Sequence, residues 1–128
     1  MMYTAYWLKS TFSKALKDYG LTEEQFNVMR ILKGKYPEQM CVKDIGSRMI
    51  ERSSNVPRII DRLVAKKLAE RKPSTEDKRE TLTQLTDKGI ALLEQASTLV
   101  GKMQEDFIDL SEEDAAYINT ILDSMRKD

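Results

Sequence analysis

The sequence predicts a mainly α fold with a small β-wing, and three observations carry that expectation. Apolar residues recur at helical spacing along most of the 128 residues. One stretch, Arg52 to Gly89, breaks the pattern: it reads as a capped amphipathic helix, a short strand, a charged hairpin tip, a second strand and the start of another helix. The charge is also segregated. Lys and Arg number 21 and so do Asp and Glu, yet residues 43–80 hold eleven basic against seven acidic residues, and residues 81–128 hold four against ten. A basic patch on one face is what phosphate binding requires, whatever the total. On charge alone, a solvated face of mixed sign explains the numbers equally well.

The elements follow in order. A first helix is expected from about Tyr3 to Tyr19, with Trp7, Leu8, Phe12, Ala15, Leu16 and Tyr19 at helical spacing and Gly20 as its C-terminal cap. Thr22-x-x-Gln25 is a capping box for the second helix, and Leu21 is placed to pack on Phe26 as a hydrophobic staple. The stripe of that helix is Val28, Met29, Leu32 and Tyr36, with Phe26 and Ile31 at its margins; Pro37 closes it. A short third helix is expected from Val42 to Met49, and then a turn at Ile50-Glu51-Arg52. Ser53 or Ser54 is the expected cap of the fourth helix, which puts Pro57 near its third or fourth position, where a missing N–H costs little. Val56, Ile59, Ile60, Leu63 and Val64 fit one buried face, and Arg58, Asp61, Arg62 and Lys66 point elsewhere.

Leu68 to Lys72 and Thr81 to Leu85 read as strands, with Pro73, Ser74 and Thr75 opening the turn between them. Thr86 is placed to cap a fifth helix running to about Ile108, with Leu92, Leu93, Ala96, Leu99, Val100, Met103 and Phe107 as its stripe. Some 22 residues make a helix about 33 Å long. That is long for the core of so small a chain, so part of the stripe is expected to meet a second chain. Ser111 starts a last helix with Ala115, Ile118, Ile121, Leu122 and Met125 on one side.

Composition narrows the function. At 41% hydrophobic and 33% charged residues, the chain is that of an ordinary globular protein. It carries no apolar run near the roughly 20 residues that span a bilayer. The start MMYTAYWLKS does not read as a signal peptide, and Cys41 has no internal partner, so a cytoplasmic location is expected. The absence of histidine removes Ser-His-Asp and Cys-His catalysis and most zinc sites. Glu112, Glu113 and Asp114 fall in a first helical turn, where they favour the helix dipole. The glycines form no phosphate loop. No catalytic residue, metal site or cofactor is expected.

Residues 52–89 resemble the winged helix-turn-helix of the MarR family of bacterial regulators. The resemblance rests on Asp61-Arg62-Leu63, Leu68-Ala69-Glu70-Arg71, Asp77-Lys78-Arg79 and Leu85-Thr86-Asp87-Lys88-Gly89. The segment from Gly20-Leu21-Thr22 to Leu32, and Leu110-Ser111-Glu112-Glu113, extend it over nearly the whole chain. Lys67 departs from the pattern, standing where the family usually has glycine.

The resemblance implies a winged helix-turn-helix, residues 22–89, on a helical dimerisation frame of residues 1–19 and 90–128. It implies a homodimer reading double-stranded DNA at a pseudo-palindrome, as a repressor. Ser53, Ser54, Asn55 and Pro57 then line the leading end of the recognition helix. Asn55 and Arg58 are the candidates for base edges, and Arg62 and Lys66 for phosphates. Lys72, Ser74, Thr75, Lys78 and Arg79 belong to the wing surface, with Arg79 in the minor groove and Asp77 bracing the wing by pairing with a neighbouring arginine. A small aromatic or anionic effector is implied between frame and reading head, where Tyr3, Tyr6, Trp7, Phe12, Met29 and Met103 are candidate lining residues. Aromatic and Met stripes at this spacing are more often core. Cys41 is expected to be a small buried residue rather than a redox switch. The other reading of the chain is a winged-helix module that contacts protein without binding DNA.

Overall fold

Short joints, several of them helix caps, set the path of the chain through helices α1 (Met2–Lys17), α2 (Glu23–Lys35), α3 (Val42–Arg48), α4 (Val56–Ala65), α5 (Asp87–Phe107) and α6 (Glu112–Met125). Three strands complete it: β1 (Met40–Cys41), β2 (Ala69–Pro73) and β3 (Thr81–Leu85). The computed structural model describes residues 1–77, 79–107 and 109–126.

Local chemistry explains the joints. Gly20, at φ +69°, ends α1 in the left-handed region. The N–H of Leu21 then reaches Leu16 O at 3.1 Å and that of Gly20 reaches Lys17 O at 2.9 Å, the paired bonds of a Schellman end. Thr22 follows at once with the expected capping box: its Oγ1 accepts from the Gln25 N–H at 3.1 Å, and Gln25 Oε1 accepts from the Thr22 N–H at 3.3 Å. Leu21 and Phe26, the two halves of the staple, are both buried, so Phe26 is core rather than margin. Tyr36 is not on the buried stripe: α2 stops one residue earlier, and Tyr36 leaves the helix with an extended ψ of 136° and an exposed ring.

The sheet is antiparallel in the order β1–β3–β2. Cys41 faces Leu82 across β1–β3, and the β2–β3 hairpin pairs Ala69 with Leu85 through to Pro73 with Thr81. β1 is a third strand beyond the two the sequence predicts; two residues are too few to show a period of two. Thr83 and Leu85 point from β3 into the core, where α2, α3 and α4 contribute Val28, Met29, Leu32, Ile45, Ile60 and Leu63.

α4 ends at Lys67, whose φ of +62° makes it the left-handed residue of a second Schellman end. The Lys67 N–H reaches Val64 O and the Leu68 N–H reaches Leu63 O, each at 2.9 Å. A side chain in this region costs roughly 1–2 kcal/mol, partly offset by the unfolded-state freedom a glycine would add, about 0.5–1 kcal/mol. Lys67→Gly is therefore expected to stabilise the fold by about 0.5–1 kcal/mol. Urea unfolding checks it: the midpoint rises with unchanged slope, and a fall in the midpoint refutes the strain argument.

The start of α5 is locked onto that exit. The Thr86 N–H donates to Leu68 O at 3.1 Å, its hydroxyl donates to Lys67 O at 2.7 Å, and the same oxygen accepts from the Gly89 N–H at 3.0 Å. The Lys88 ammonium donates to Lys66 O at 3.3 Å. Gly89 lies so close to Leu68 that a Cβ there would stand 2.0 Å from the Leu68 carbonyl oxygen. This junction is the physical content of the Leu-Thr-x-x-Gly motif. Beyond it α5 buries Leu93, Ala96 and Val100. α6, capped by Ser111 Oγ on the Asp114 N–H at 3.1 Å, buries none of its side chains.

Candidate nucleic-acid interface

α4 divides cleanly. Val56, Ile59, Ile60 and Leu63 are buried, and Arg58 and Arg62, one turn apart, are exposed on the other side. Its cap is Asn55, not Ser53 or Ser54: Asn55 Oδ1 accepts from the Arg58 N–H at 3.2 Å, and Pro57 takes the second helical position. Serine and asparagine cap about equally well, so residue type does not separate Asn55 from Ser53 and Ser54, the two expected caps. The cap has a consequence for reading. A bidentate contact to adenine uses both the oxygen and the NH₂ of the amide. An amide oxygen has two lone pairs, so the cap leaves Asn55 one of them besides its NH₂, but it fixes the side chain at the helix end, and Arg58 becomes the stronger base-edge candidate. Ser53 is exposed, and Ser54 Oγ is buried with no hydrogen-bond partner. Arg58, Arg62, Ser53, Ser54 and Asn55 share a cleft of about 440 Å³ with the start of α2.

Two expected contact residues are employed otherwise. The Lys66 ammonium donates to Gly20 O and, at 3.0 Å, to Gln25 Oε1, so it ties α4 to the α1–α2 joint instead of reaching outward for a phosphate. Ser74 is buried, and its Oγ accepts from the N–H groups of Glu76 at 3.2 Å and Asp77 at 3.3 Å. It folds the wing tip rather than facing solvent. Asp77 does brace the tip, but through the backbone: its Oδ1 accepts from the Arg79 N–H at 3.0 Å. The charged brace lies elsewhere, where Arg71 of β2 pairs with Asp61 of α4. Lys72, Thr75 and Arg79 are exposed, and Lys78 lies outside the described residues. Among the described residues, Arg58, Arg62, Lys72 and Arg79 have no ion-pair partner.

A second cleft, about 610 Å³, lies between α1, the start of α2 and the α3–α4 turn. Lys9 sits 2.5 Å from Glu51 Oε1 and 3.9 Å from Glu23 Oε2. The hydrogen bond to Glu51 holds the Lys9 ammonium above its usual pKa. Burial pushes the Glu23 carboxyl up despite the nearby lysine, and Glu23 Oε1 has no hydrogen-bond partner. Of the six residues expected to line an effector cleft, Tyr6 lines this one. Met29 is fully buried in the core and Phe12 packs against it. Tyr3 and Trp7 are exposed and Met103 is half-buried. The structure thus does not gather the six. Glu23, Glu24 and Glu51 against one lysine also make this cleft a poor host for the anionic ligand class. Cys41 is buried, and burial raises its thiol pKa, which disfavours the reactive thiolate. No helix among the described residues is long and apolar enough to cross a membrane.

Comparison with known proteins gives a consistent picture. A family model described as transcriptional regulator SarA/Rot matches residues 10–96. The HTH-type transcriptional regulator MhqR of Bacillus subtilis (strain 168) is 36% identical over 83 residues, covering 63% of this chain and 54% of that protein. The match thus spans about half the length of that relative. Among solved structures, MepR of S. aureus in complex with DNA superimposes with a TM-score of 0.86 at 23% identity, over 97% of this chain and 91% of that one, a likeness of fold. The transcriptional repressor CouR, bound to a 23-mer DNA duplex, superimposes with a TM-score of 0.83 at 25% identity, over 98% and 89% of the two chains.

Proposed function

Since the chain belongs to the SarA/Rot family of transcriptional regulators and has the MarR-like winged-helix fold, we propose that it is a repressor that reads a pseudo-palindromic operator as a homodimer. The observation that carries this reading is α4: one side is buried, and the other presents Arg58 and Arg62, which have no ion-pair partner among the described residues. In this reading α4 enters the major groove, Arg58 meets a guanine edge, and Arg62 and Lys72 meet phosphates. Ser53, Pro57 and Thr75 complete the contact surface, and Arg79 enters the minor groove from the wing. Lys66 and Ser74 are structural.

Dimerisation is supported by what the single chain leaves uncovered. Tyr3 and Tyr6 of α1, and Tyr117, Ile118, Ile121 and Met125 of α6, are exposed. A helix of 14 residues that buries nothing draws little stability from its own propensity, so α6 is expected to gain its packing from a second copy. Residues 1–19 and 90–128 then form the frame and 22–89 the reading head. The acidic excess of residues 81–128 keeps the frame off the phosphates. Repression is supported by CouR, which is a repressor of the same fold.

Fluorescence anisotropy on a duplex from upstream of its own gene tests the reading. Each phosphate neutralised contributes a slope of about −0.9 in log affinity against log salt, so Arg62 and Lys72 of two protomers predict a slope of about −4. A module that contacts protein through this face would show no binding at about 50 mM salt, and that result rejects the regulator.

A further inference from the structure

We propose that Lys9 is a positioning residue for DNA reading: through Glu51 it fixes the turn that starts α4 and ties the recognition helix to α1. The inference rests on the function proposed above and deepens it.

The turn between α3 and α4 has little else to hold it. Met49 before it and Val56 after it are buried, but every residue from Ile50 to Asn55 except Ser54 is exposed, and Ile50 is 84% exposed. Ile50, the one apolar side chain of those six residues, is therefore not packed into the core. Among the described residues, two polar side chains reach them from other elements. Asn27 of α2 accepts the Ile50 N–H on its Oδ1 at 3.0 Å, and Lys9 of α1 donates to Glu51 Oε1 at 2.5 Å. The hold passes on, because the Glu51 carbonyl accepts the Ser54 N–H at 3.2 Å, next to the Asn55 cap. Glu23, 3.9 Å from Lys9, keeps the ammonium in place from the α2 side. α1 carries exposed Tyr3 and Tyr6 toward the proposed dimer frame. The contact therefore joins the part that sets the spacing of two recognition helices to the leading end of each.

An exposed ion pair contributes little to global stability. Operator reading is more sensitive, because both heads must meet grooves a fixed distance apart. The test uses the full chain as wild type, Lys9→Met, Glu51→Gln and the exchange Lys9→Glu/Glu51→Lys. Anisotropy is measured on the upstream duplex and on a scrambled duplex of equal length, with an unfolding curve for each protein. Each single variant is expected to lose about tenfold in operator affinity, from two contacts per dimer. Binding to the scrambled duplex and the unfolding midpoint change little, and the exchange recovers most of the loss. The sign is diagnostic: Lys9→Met removes a positive charge and Glu51→Gln a negative one, yet both weaken binding. Single variants that bind like wild type overturn the proposal, as does a gain for Glu51→Gln alongside a loss for Lys9→Met, which is a simple charge effect. An exchange that recovers nothing also overturns it. A wild type that binds neither duplex overturns the proposed function itself.

Discussion

Gly89→Ala is expected to cost the fold on the order of 4 kcal/mol and to lower its melting temperature by roughly 10 °C or more. The added Cβ would lie 2.0 Å from the Leu68 oxygen, 3.0 Å from its carbonyl carbon and 3.3 Å from its Cα. Both partners are backbone, so no side chain can swing aside. Gly89 is in the first turn of α5, and Leu68 is held by its N–H on Leu63 O at 2.9 Å and by the Thr86 N–H on its own oxygen at 3.1 Å. Relief of the clash must break one or both bonds. Overpacking costs roughly 1–3 kcal/mol and each lost hydrogen bond about 1 kcal/mol, which gives on the order of 4 kcal/mol. That is a large share of the roughly 5–15 kcal/mol that holds a small domain together. A thermal melt followed by circular dichroism decides it: a variant melting within about 5 °C of wild type would show that the junction is looser than drawn.

Arg58→Ala is expected to lower operator affinity by tenfold or more while the fold stays intact. Arg58 is exposed, and the cap on Asn55 uses its backbone N–H, which alanine keeps. Stability should therefore change by no more than about 0.5 kcal/mol. A guanine contact is worth about 1–3 kcal/mol of discrimination, and the proposed dimer makes it twice. The informative readout is a scan of single base-pair changes in the operator. The variant should become indifferent to one base pair in each half-site. A uniform loss over all sequences, with a shallower salt slope, would instead make Arg58 a phosphate contact and leave base reading to other residues.

What the sequence made legible was local. The Thr22–Gln25 box, the Leu21–Phe26 staple, the Gly20 cap and the Thr86 cap each involve residues within a turn or two of one another, and short-range chemistry dictates them. Lys67 was legible only as a departure from the glycine of the family the chain resembles; the left-handed exit is kept with a lysine in it. What failed was long-range or degenerate. Nothing near Lys66 announces that its ammonium will find the Gly20 carbonyl, 46 residues away. Nothing pairs Asp61 with Arg71 until the wing has folded back on α4. Ser53, Ser54 and Asn55 are equivalent as caps, so the helix start slipped by one or two residues. In the wing, Ser74 was read as the start of a turn, but a hydroxyl there has a second, local use: it accepts N–H groups two and three residues ahead. The Met29 side chain followed the ordinary rule that apolar groups at helical spacing fill the core first.

The two ends of α4 are held in unlike ways. At its C-terminal exit three successive carbonyls, of Lys66, Lys67 and Leu68, are all taken by residues at the start of α5. At its leading end the chain hangs on the side chains of Asn27 and Lys9. α4 and α5 therefore share a stiff joint, and α5, about 31 Å long, is its lever arm. A rotation of one degree at the joint moves the far end of that arm by about half an ångström. In the proposed dimer, small shifts in how two copies pack along α5 are thus carried to α4 as changes of angle. On the proposed reading the end of α4 held by side chains leads into the groove, so the helix is expected to pivot where it is bonded to α5 and to adjust where it reads.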